Sequence, residues 1–304
     1  MSFAAAGAVV LAALLDRLVG EPPNRVHPVA LLGRAIAPLD RAWNSPAEMG
    51  LSIAIVLPVL VGAGVGAVVA VVVSLSVPAA TVVAGLVLFS ATSLRMLLAE
   101  ARAVERLLGE DIDAARDRLR SLAGRDSSDL DASEIRSAAI ESIAENLADG
   151  LVAPLLAFAL GALVSLPVAA GAAAFVKTVN TLDSMLGYPD KRHGTASARL
   201  DDIVMWVPAR LSALALAVAA VDPETPWRAR GWVDRVPSPN SGWPMGTVAS
   251  ALAVRLEKPG VYVLNDVART PESADVDRAI RLVSRAGWLV WGLAAFLLAY
   301  AGWL

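Results

Sequence analysis

Four acidic residues, Glu134, Glu141, Glu145 and Asp149, recur at intervals of seven, four and four just ahead of an apolar run that begins at Leu151. At about 100° per residue they fall on one helical stripe roughly 80° wide, with Ile140, Ile143 and Leu147 on the opposite side. Asp131 and Ser133 both suit the N-cap of this helix, and Gly150 with Pro154 marks its expected end. The stripe has two readings. One is an amphipathic helix with a solvated acidic face. The other is a set of carboxylates that bind a cation or accept a proton beside a membrane. Two further polar groups adjoin apolar segments in the same way. Lys177, Asn180 and Asp183 are spaced by three and share a face if helical. Arg199, Asp201 and Asp202 stand at the entry to residues 203–221, "IVMWVPARLSALALAVAAV", which also carries Arg210. At the bilayer centre Asp or Arg costs about 2.5–3.5 kcal/mol on insertion scales, less toward the interface. Three polar clusters abutting apolar segments therefore point to a shared site at the membrane face. Carboxylates with an Asn can hold Mg²⁺, and Lys and Arg can neutralise phosphate oxygens. This composition suits a phosphorylated substrate without saying which one.

The elements that must position these residues are membrane helices. Of 304 residues, 56% are hydrophobic and 18% charged. Soluble domains run at roughly 45–50% apolar and about 25% charged. A span needs about 20 apolar residues. Residues 51–73 meet this without a charge, 78–99 open on "PAATVVAGLVLFSATSL", and 287–304 carry tryptophans at both ends, as an interfacial belt would. Residues 3–19, 151–176 and 203–221 are ambiguous, the latter two because Pro154, Pro167 and Pro208 suit broken or re-entrant helices as well as bent spans. The segment 3–15 lacks a basic n-region and is not read as a cleaved signal peptide. The expected fold is an all-α, polytopic integral membrane protein, a single domain over 1–304 with cytoplasmic helical and loop segments.

Eight arginines between Arg95 and Arg136 place that stretch in the cytoplasm, and Arg25, Arg34 and Arg41 put 20–50 on the same side. If 151–176 and 203–221 both cross, residues 177–188 emerge on the far side. If neither crosses, every polar cluster shares the cytoplasmic side, and this is the expectation. Gly62 and Gly66 read as a close helix-packing pair. The net charge of −3 gives no reason to expect nucleic-acid binding, and the absence of cysteine removes disulfides and thiolate chemistry. Imidazole comes only from His27 and His193. His27, followed by Pro28, reads as fixing a turn rather than as catalytic. There is no Walker loop, H-E-x-x-H or G-x-S-x-G. Asn240, Ser241 and Trp243 in "PNSGWPM" read either as a substrate loop or as a plain turn.

Six stretches in order carry a resemblance: "DRLVGEPPNRVHPVALLGRAI" (16–36), "TSLRMLL" (92–98), "GRDSSDLDASEIRSAAIESIAENLADGLVAPLL" (124–156), "KTVNTLDSMLGY" (177–188), "ASARLDDIVMWVPARL" (196–211) and "NSGWPMGTVASALAVRLEKPGVYVLN" (240–265). Together they resemble the membrane-bound cobalamin-biosynthesis family called CobD or CbiB, the adenosylcobinamide-phosphate synthases. Departures are modest: Ser127 stands where the family has threonine, and Leu147 and Ala148 replace its Thr-Ser pair. The resemblance implies an ATP- and Mg²⁺-dependent ligase in the cell membrane with a cytoplasmic active site. It joins adenosylcobyric acid to 1-amino-2-propanol or its O-phosphate. Other cobalamin-assembly membrane proteins are candidate partners. On this reading Glu141, Glu145, Asp183 and Lys177 are catalytic candidates, and Asp149, Asp201 and Asp202 are metal candidates. Asn146, Asn180, Arg199, Arg210, Asn240, Ser241 and Trp243 are substrate-binding candidates. Rival readings are a membrane isoprenoid-diphosphate transferase, for which "NTLDS" is a poor motif, and a transporter or sensor, which the charge-free span cores disfavour.

Overall fold

The computed structural model describes residues 2–123, 127–188 and 190–303. Residues 124–126, at the head of the "GRDSSDL" stretch, and Pro189 lie outside them. Helix follows helix: α1 (Ser2–Leu18), α2 (Pro28–Ile36), α3 (Pro46–Leu75), α4 (Val77–Ala91), α5 (Leu94–Leu108), α6 (Ile112–Ala123), α7 (Ala132–Leu147), α8 (Ala153–Ala162), α9 (Leu166–Leu186), α10 (Thr195–Ala220), α11 (Thr225–Ala229), α12 (Gly242–Leu252) and α13 (Ser273–Ala301). Among the described residues five helical stretches are long and apolar enough to cross a membrane: Pro46–Leu75, Val77–Leu108, Ala132–Ala162, Thr195–Ala220 and Ser273–Ala301. At 1.5 Å per residue each exceeds the roughly 30 Å hydrocarbon core. Their outward side chains include Leu60, Val68, Val71, Leu214, Val218, Leu293 and Phe296, all exposed. In water that surface would be unfavourable; facing lipid it is ordinary. The chain is an all-α, multi-pass membrane protein.

One small sheet interrupts the helices. Strands β1 (Leu256–Lys258) and β2 (Tyr262–Leu264) pair antiparallel, with Lys258 opposite Tyr262. Pro259 and Gly260 make the turn between them. Gly260 has φ of 71°, and the Val261 N–H closes the turn on the Lys258 carbonyl at 2.9 Å. Proline followed by a left-handed glycine is the pattern of a type II turn.

The chain divides into two compact units: Met1–Ser93, Ala153–Met205 and Trp291–Leu304 form the first, Leu94–Val152 and Trp206–Val290 the second. In the first, α3 packs along α9. A Cβ on Gly62 would lie 2.9 Å from the Gly171 carbonyl oxygen, and one on Gly66 3.2 Å from that of Pro167. The Gly62–Gly66 pair thus permits the backbone approach expected of it. The segment 151–176 is not one bent span. The chain breaks after Ala162, Ser165 caps α9, and α8 and α9 lie side by side as a hairpin. Such a hairpin returns the chain toward the end from which it set out. Because α9 has 21 residues against the 10 of α8, residues 177–186 come back to the level where α8 began and run past it, whether or not the hairpin reaches the far side.

In the second unit α7 starts on a capping box. The Asp131 carboxylate accepts the N–H groups of Ser133 (2.8 Å) and Glu134 (2.9 Å), and the Glu134 carboxylate accepts the Asp131 N–H (2.7 Å). Ser133 lies inside the first turn, so Asp131 alone is the cap. Ile135, Ala138 and Ala139 pack on Val104 of α5 and Leu119 of α6, and Arg136 holds Glu105 at 3.0 Å. The expected end at Gly150 and Pro154 is not an end. Residues Ala148–Val152 form a π turn and the helix continues as α8. Proline has no N–H and crowds the carbonyl four residues back; a wider turn gives it room.

Candidate active site

The acidic stripe of α7 is not a solvated face. Glu141 is only 3% exposed, and Ile140, Ile143 and Leu147 are wholly covered. A buried carboxylate needs donors, and two hydroxyls supply them. Ser137, one turn earlier, donates to Glu141 Oε1 at 3.1 Å, and Tyr262 of β2 donates to Oε2 at 3.1 Å. The Glu257 N–H of β1 donates to Ser137 Oγ at 2.6 Å, so the hairpin is tied to α7 at the position of its buried acid. Glu145 differs. It is half-buried and accepts a 2.5 Å hydrogen bond from Ser241 Oγ. Glu134 is spent on the cap. Asn146 donates to the Ser142 carbonyl of its own helix at 2.9 Å, and Asp149 is half-buried in the π turn.

The loop that carries Ser241 brings together most of the substrate-binding candidates of this unit. Arg210 of α10 donates to Asn240 Oδ1 at 3.1 Å and to the Trp206 carbonyl at 2.7 Å. Its guanidinium lies 4.1 Å from the centre of the Trp206 ring and 5.2 Å from that of Trp243. Stacking of this kind holds a planar cation in place. Asn240 is buried, and the loop sits on the Val233 backbone, where a Cβ at Gly242 would come within 2.7 Å of the Val233 carbonyl oxygen. Glu145, Arg210, Asn240, Ser241 and Trp243 thus form one constellation: a carboxylate, a hydroxyl and a fixed guanidinium.

The other candidates lie in the first unit. Lys177, Asn180 and Asp183 follow one another along α9, each half-buried. Lys177 has neighbours that the sequence reading did not pair with it. Burial pushes the Glu21 carboxyl up to about 7; the charge of Lys177 opposes the rise and that of Asp16 adds to it. Asp16 is itself buried. His27 is pushed below its ordinary value, first by burial and then by Lys177. Its Nδ1 accepts the Val29 N–H at 3.1 Å and caps α2, the turn-fixing role expected of it. In the neutral ring Nε2 then carries the proton, 3.4 Å from Glu21 Oε2. The missed signal was in plain view: Asp16, Glu21 and His27 crowd into the twelve residues from the last turn of the apolar helix α1 onward.

Arg199 does not join Lys177. Lys177 borders a small, mainly apolar cavity of about 280 Å³ walled by α2, α3, α4 and α9. Arg199 borders a separate groove of about 810 Å³. Asp201 and Asp202 are half-buried in the first turns of α10. Among the described residues no three acidic or histidine side chains gather to hold a metal ion. Asp149 falls in one unit and Asp201 and Asp202 in the other. Magnesium usually arrives with phosphates and needs only one or two protein carboxylates.

Fold and site together define a multi-pass helical membrane protein that holds carboxylates on hydroxyl donors beside a stacked arginine. The family model described as CobD/Cbib protein matches residues 9–284. The chain belongs to that family. It is 38% identical to the probable cobalamin biosynthesis protein CobD of Methanothrix thermoacetophila, over 95% of this chain and 96% of the relative. It is 37% identical to the cobalamin biosynthesis protein CobD of Rhodobacter capsulatus, over 98% and 99%. Against the cobalamin biosynthesis protein CbiB of Salmonella choleraesuis the identity is 36%, over 96% of each chain. No solved structure matches the chain.

Proposed function

We propose that the chain acts in cobalamin biosynthesis as an amide-forming ligase, joining the free carboxylate of adenosylcobyric acid to 1-amino-2-propanol or its O-phosphate at the expense of ATP. Membership in a family whose relatives are named for cobalamin biosynthesis supports the pathway. The observation that carries the chemistry is the constellation of Glu145, Ser241 and Arg210 with Asn240 and Trp243. A carboxylate does not accept an amine at useful rates. Phosphoryl transfer from ATP to the corrinoid carboxylate gives an acyl phosphate and ADP. The amine nitrogen then attacks the acyl carbon, the C–O bond to phosphate breaks, and the amine loses a proton.

In this reading Glu145 accepts that proton, and its half-buried, singly hydrogen-bonded state leaves an oxygen for it. The Arg210 guanidinium, held between two tryptophans and Asn240, meets the phosphate or the substrate carboxylate. Glu141, enclosed by Ser137 and Tyr262, keeps α7 and the β1–β2 hairpin in register. In the first unit Lys177 is a second phosphate partner, with Asn180 and Asp183 along the same helix. Magnesium comes as the salt of ATP. The resident membrane is the cell membrane, and the arginine-rich 95–136 segment favours a site open to cytoplasmic ATP. Growth of a strain lacking its synthase tests the reading. With this chain expressed, the strain should grow on cobyric acid as well as on cobinamide. Growth on cobinamide alone would speak for a transporter, a sensor or a transferase of other chemistry.

A further inference from the structure

The first unit holds a groove that sets two exposed arginines against an apolar wall. It opens between the first turns of α3 and the start of α10 and measures about 810 Å³. Arg192 and Arg199 line it at one end, with Glu48 as the one acid among its lining residues. Both arginines are exposed, and neither has a hydrogen bond or ion pair among the described residues. Many other arginines of the chain are paired or stacked, for example Arg116, Arg136, Arg210 and Arg228. Along the other side run Leu51, Ile55 and Ile203, which are 55%, 52% and 73% exposed. These belong to α3 and α10, two of the helical stretches long and apolar enough to cross a membrane. Charge therefore sits where each helix begins and apolar surface one to three turns further in. Over that distance, roughly 4–13 Å at 1.5 Å per residue, a bilayer passes from headgroup to hydrocarbon.

The α3 wall of the groove is anchored on its other side, through Ile53. Ile36, Ile53, Leu182 and Leu186 form the core of this part of the unit. The loop before α10 lies directly on α3, because a Cβ at Gly50 would sit 2.1 Å from the His193 carbonyl oxygen. Asp40 pins the same loop, through Lys191 at 2.7 Å and His193 at 3.3 Å. Arg192 thus projects from an anchored loop and Arg199 from the start of α10, at a place where a water-soluble ligand would have to lie against bare leucine and isoleucine.

We propose that this groove binds one anionic glycerophospholipid, its phosphate on Arg192 and Arg199 and its first acyl methylenes on Leu51, Ile55 and Ile203. Two cations against one acid leave a net positive site, which favours a headgroup of charge −1 over a zwitterion. The volume lies within the roughly 300–1,000 Å³ of ordinary ligand sites. Basic pockets between membrane helices take lipid headgroups for the same electrostatic reason.

The test is native mass spectrometry of the full chain in detergent, titrated with phosphatidylglycerol or phosphatidylcholine of the same acyl chains. The wild type should hold one phosphatidylglycerol at least about tenfold more tightly than phosphatidylcholine. Arg192→Gln and Arg199→Gln should each weaken phosphatidylglycerol, and together abolish the preference. Ile203→Asn should weaken both lipids, which separates the apolar wall from the charge. A thermal unfolding midpoint close to that of the wild type certifies the exposed-residue variants as folded. Equal retention of the two lipids, or an unchanged preference in the double arginine variant, overturns the proposal. Displacement of the lipid by aminopropanol phosphate or inorganic phosphate at millimolar concentration would also overturn it, and would make the groove a site for a soluble anion. Because binding is read without turnover, these outcomes are independent of the ligase reading.

Discussion

Glu141 and Glu145 stand one turn apart on α7 and are treated in opposite ways, the first closed in by Ser137 and Tyr262, the second held by a single hydroxyl beside Arg210 and its tryptophans. Glu145→Gln keeps the shape and removes the charge. Amide formation should fall by about 10²-fold or more, since a positioned general base contributes about 10²–10⁴, while the unfolding midpoint in detergent holds. Tyr262→Phe should instead leave a buried carboxylate short of one donor and cost about 1–3 kcal/mol in stability, read from the same unfolding measurement. Glu21 gives a pH signature. Its folded-state value of about 7 stands above the ordinary 4.5, so the folded protein holds this proton more tightly than the unfolded chain. The stabilisation is complete below about pH 4.5 and is lost as pH rises through about 7. Glu21→Gln should flatten that part of a plot of unfolding midpoint against pH; an unchanged slope would assign it to another group. The spacing of the α7 acids singled out Glu145 as a candidate, whereas Arg210, Asn240, Ser241 and Trp243 became candidates through the resemblance, and only the fold shows that they lie on one chain of hydrogen bonds and ring contacts. The partners of Glu141 were not legible in the sequence, because Tyr262 lies 121 residues away and only the fold brings it there.

At the scale of elements, the sequence announced its helices better than their ends. The Gly62–Gly66 pair named its own use, because two small residues one turn apart do little else inside an apolar helix. Gly62→Ala puts a Cβ 2.9 Å from the Gly171 carbonyl oxygen and should destabilise the protein by about 1–3 kcal/mol, as overpacking generally does. Gly64→Ala, where a Cβ would meet nothing within 4 Å, is the control and should leave the midpoint unchanged. The stretch around Gly150 and Pro154 misled for an equally physical reason. A proline is expected to end a helix, and a π turn is the arrangement that lets one continue past it. Residues 151–176 read equally as broken helices or a bent span, because Ser165, which caps α9 on the N–H of Val168, is a small polar residue within an otherwise apolar run. The β1–β2 hairpin was invisible to periodicity, since three-residue strands are too short to show alternation; only Pro259–Gly260 hinted at it.

At the scale of the whole molecule, composition foretold a multi-pass helical protein. It could not foretell that the polar clusters would be divided between two compact units, because unit membership follows from which helices pack on which. Retention in the membrane pellet after carbonate washing is expected; recovery in the supernatant would contradict the five spanning-length stretches. The α8–α9 hairpin brings "KTVNTLDSMLGY" back toward the start of α8, so cysteines introduced singly at Ser128, Ser184 and Ser241 of this cysteine-free chain should all label from the cytoplasmic side. Labelling of Ser184→Cys only from outside would contradict a common cytoplasmic site. The central claim is the amide bond, and its most direct measurement is mass spectrometry of the corrinoid after purified protein is incubated with adenosylcobyric acid, aminopropanol or its phosphate, ATP and Mg²⁺. The expected result is a corrinoid heavier by the amino alcohol less one water, one ADP formed per amide, and loss of product in Glu145→Gln. Product formed without nucleotide would remove the acyl phosphate, and no amide under conditions where the protein is folded would contradict the ligase itself.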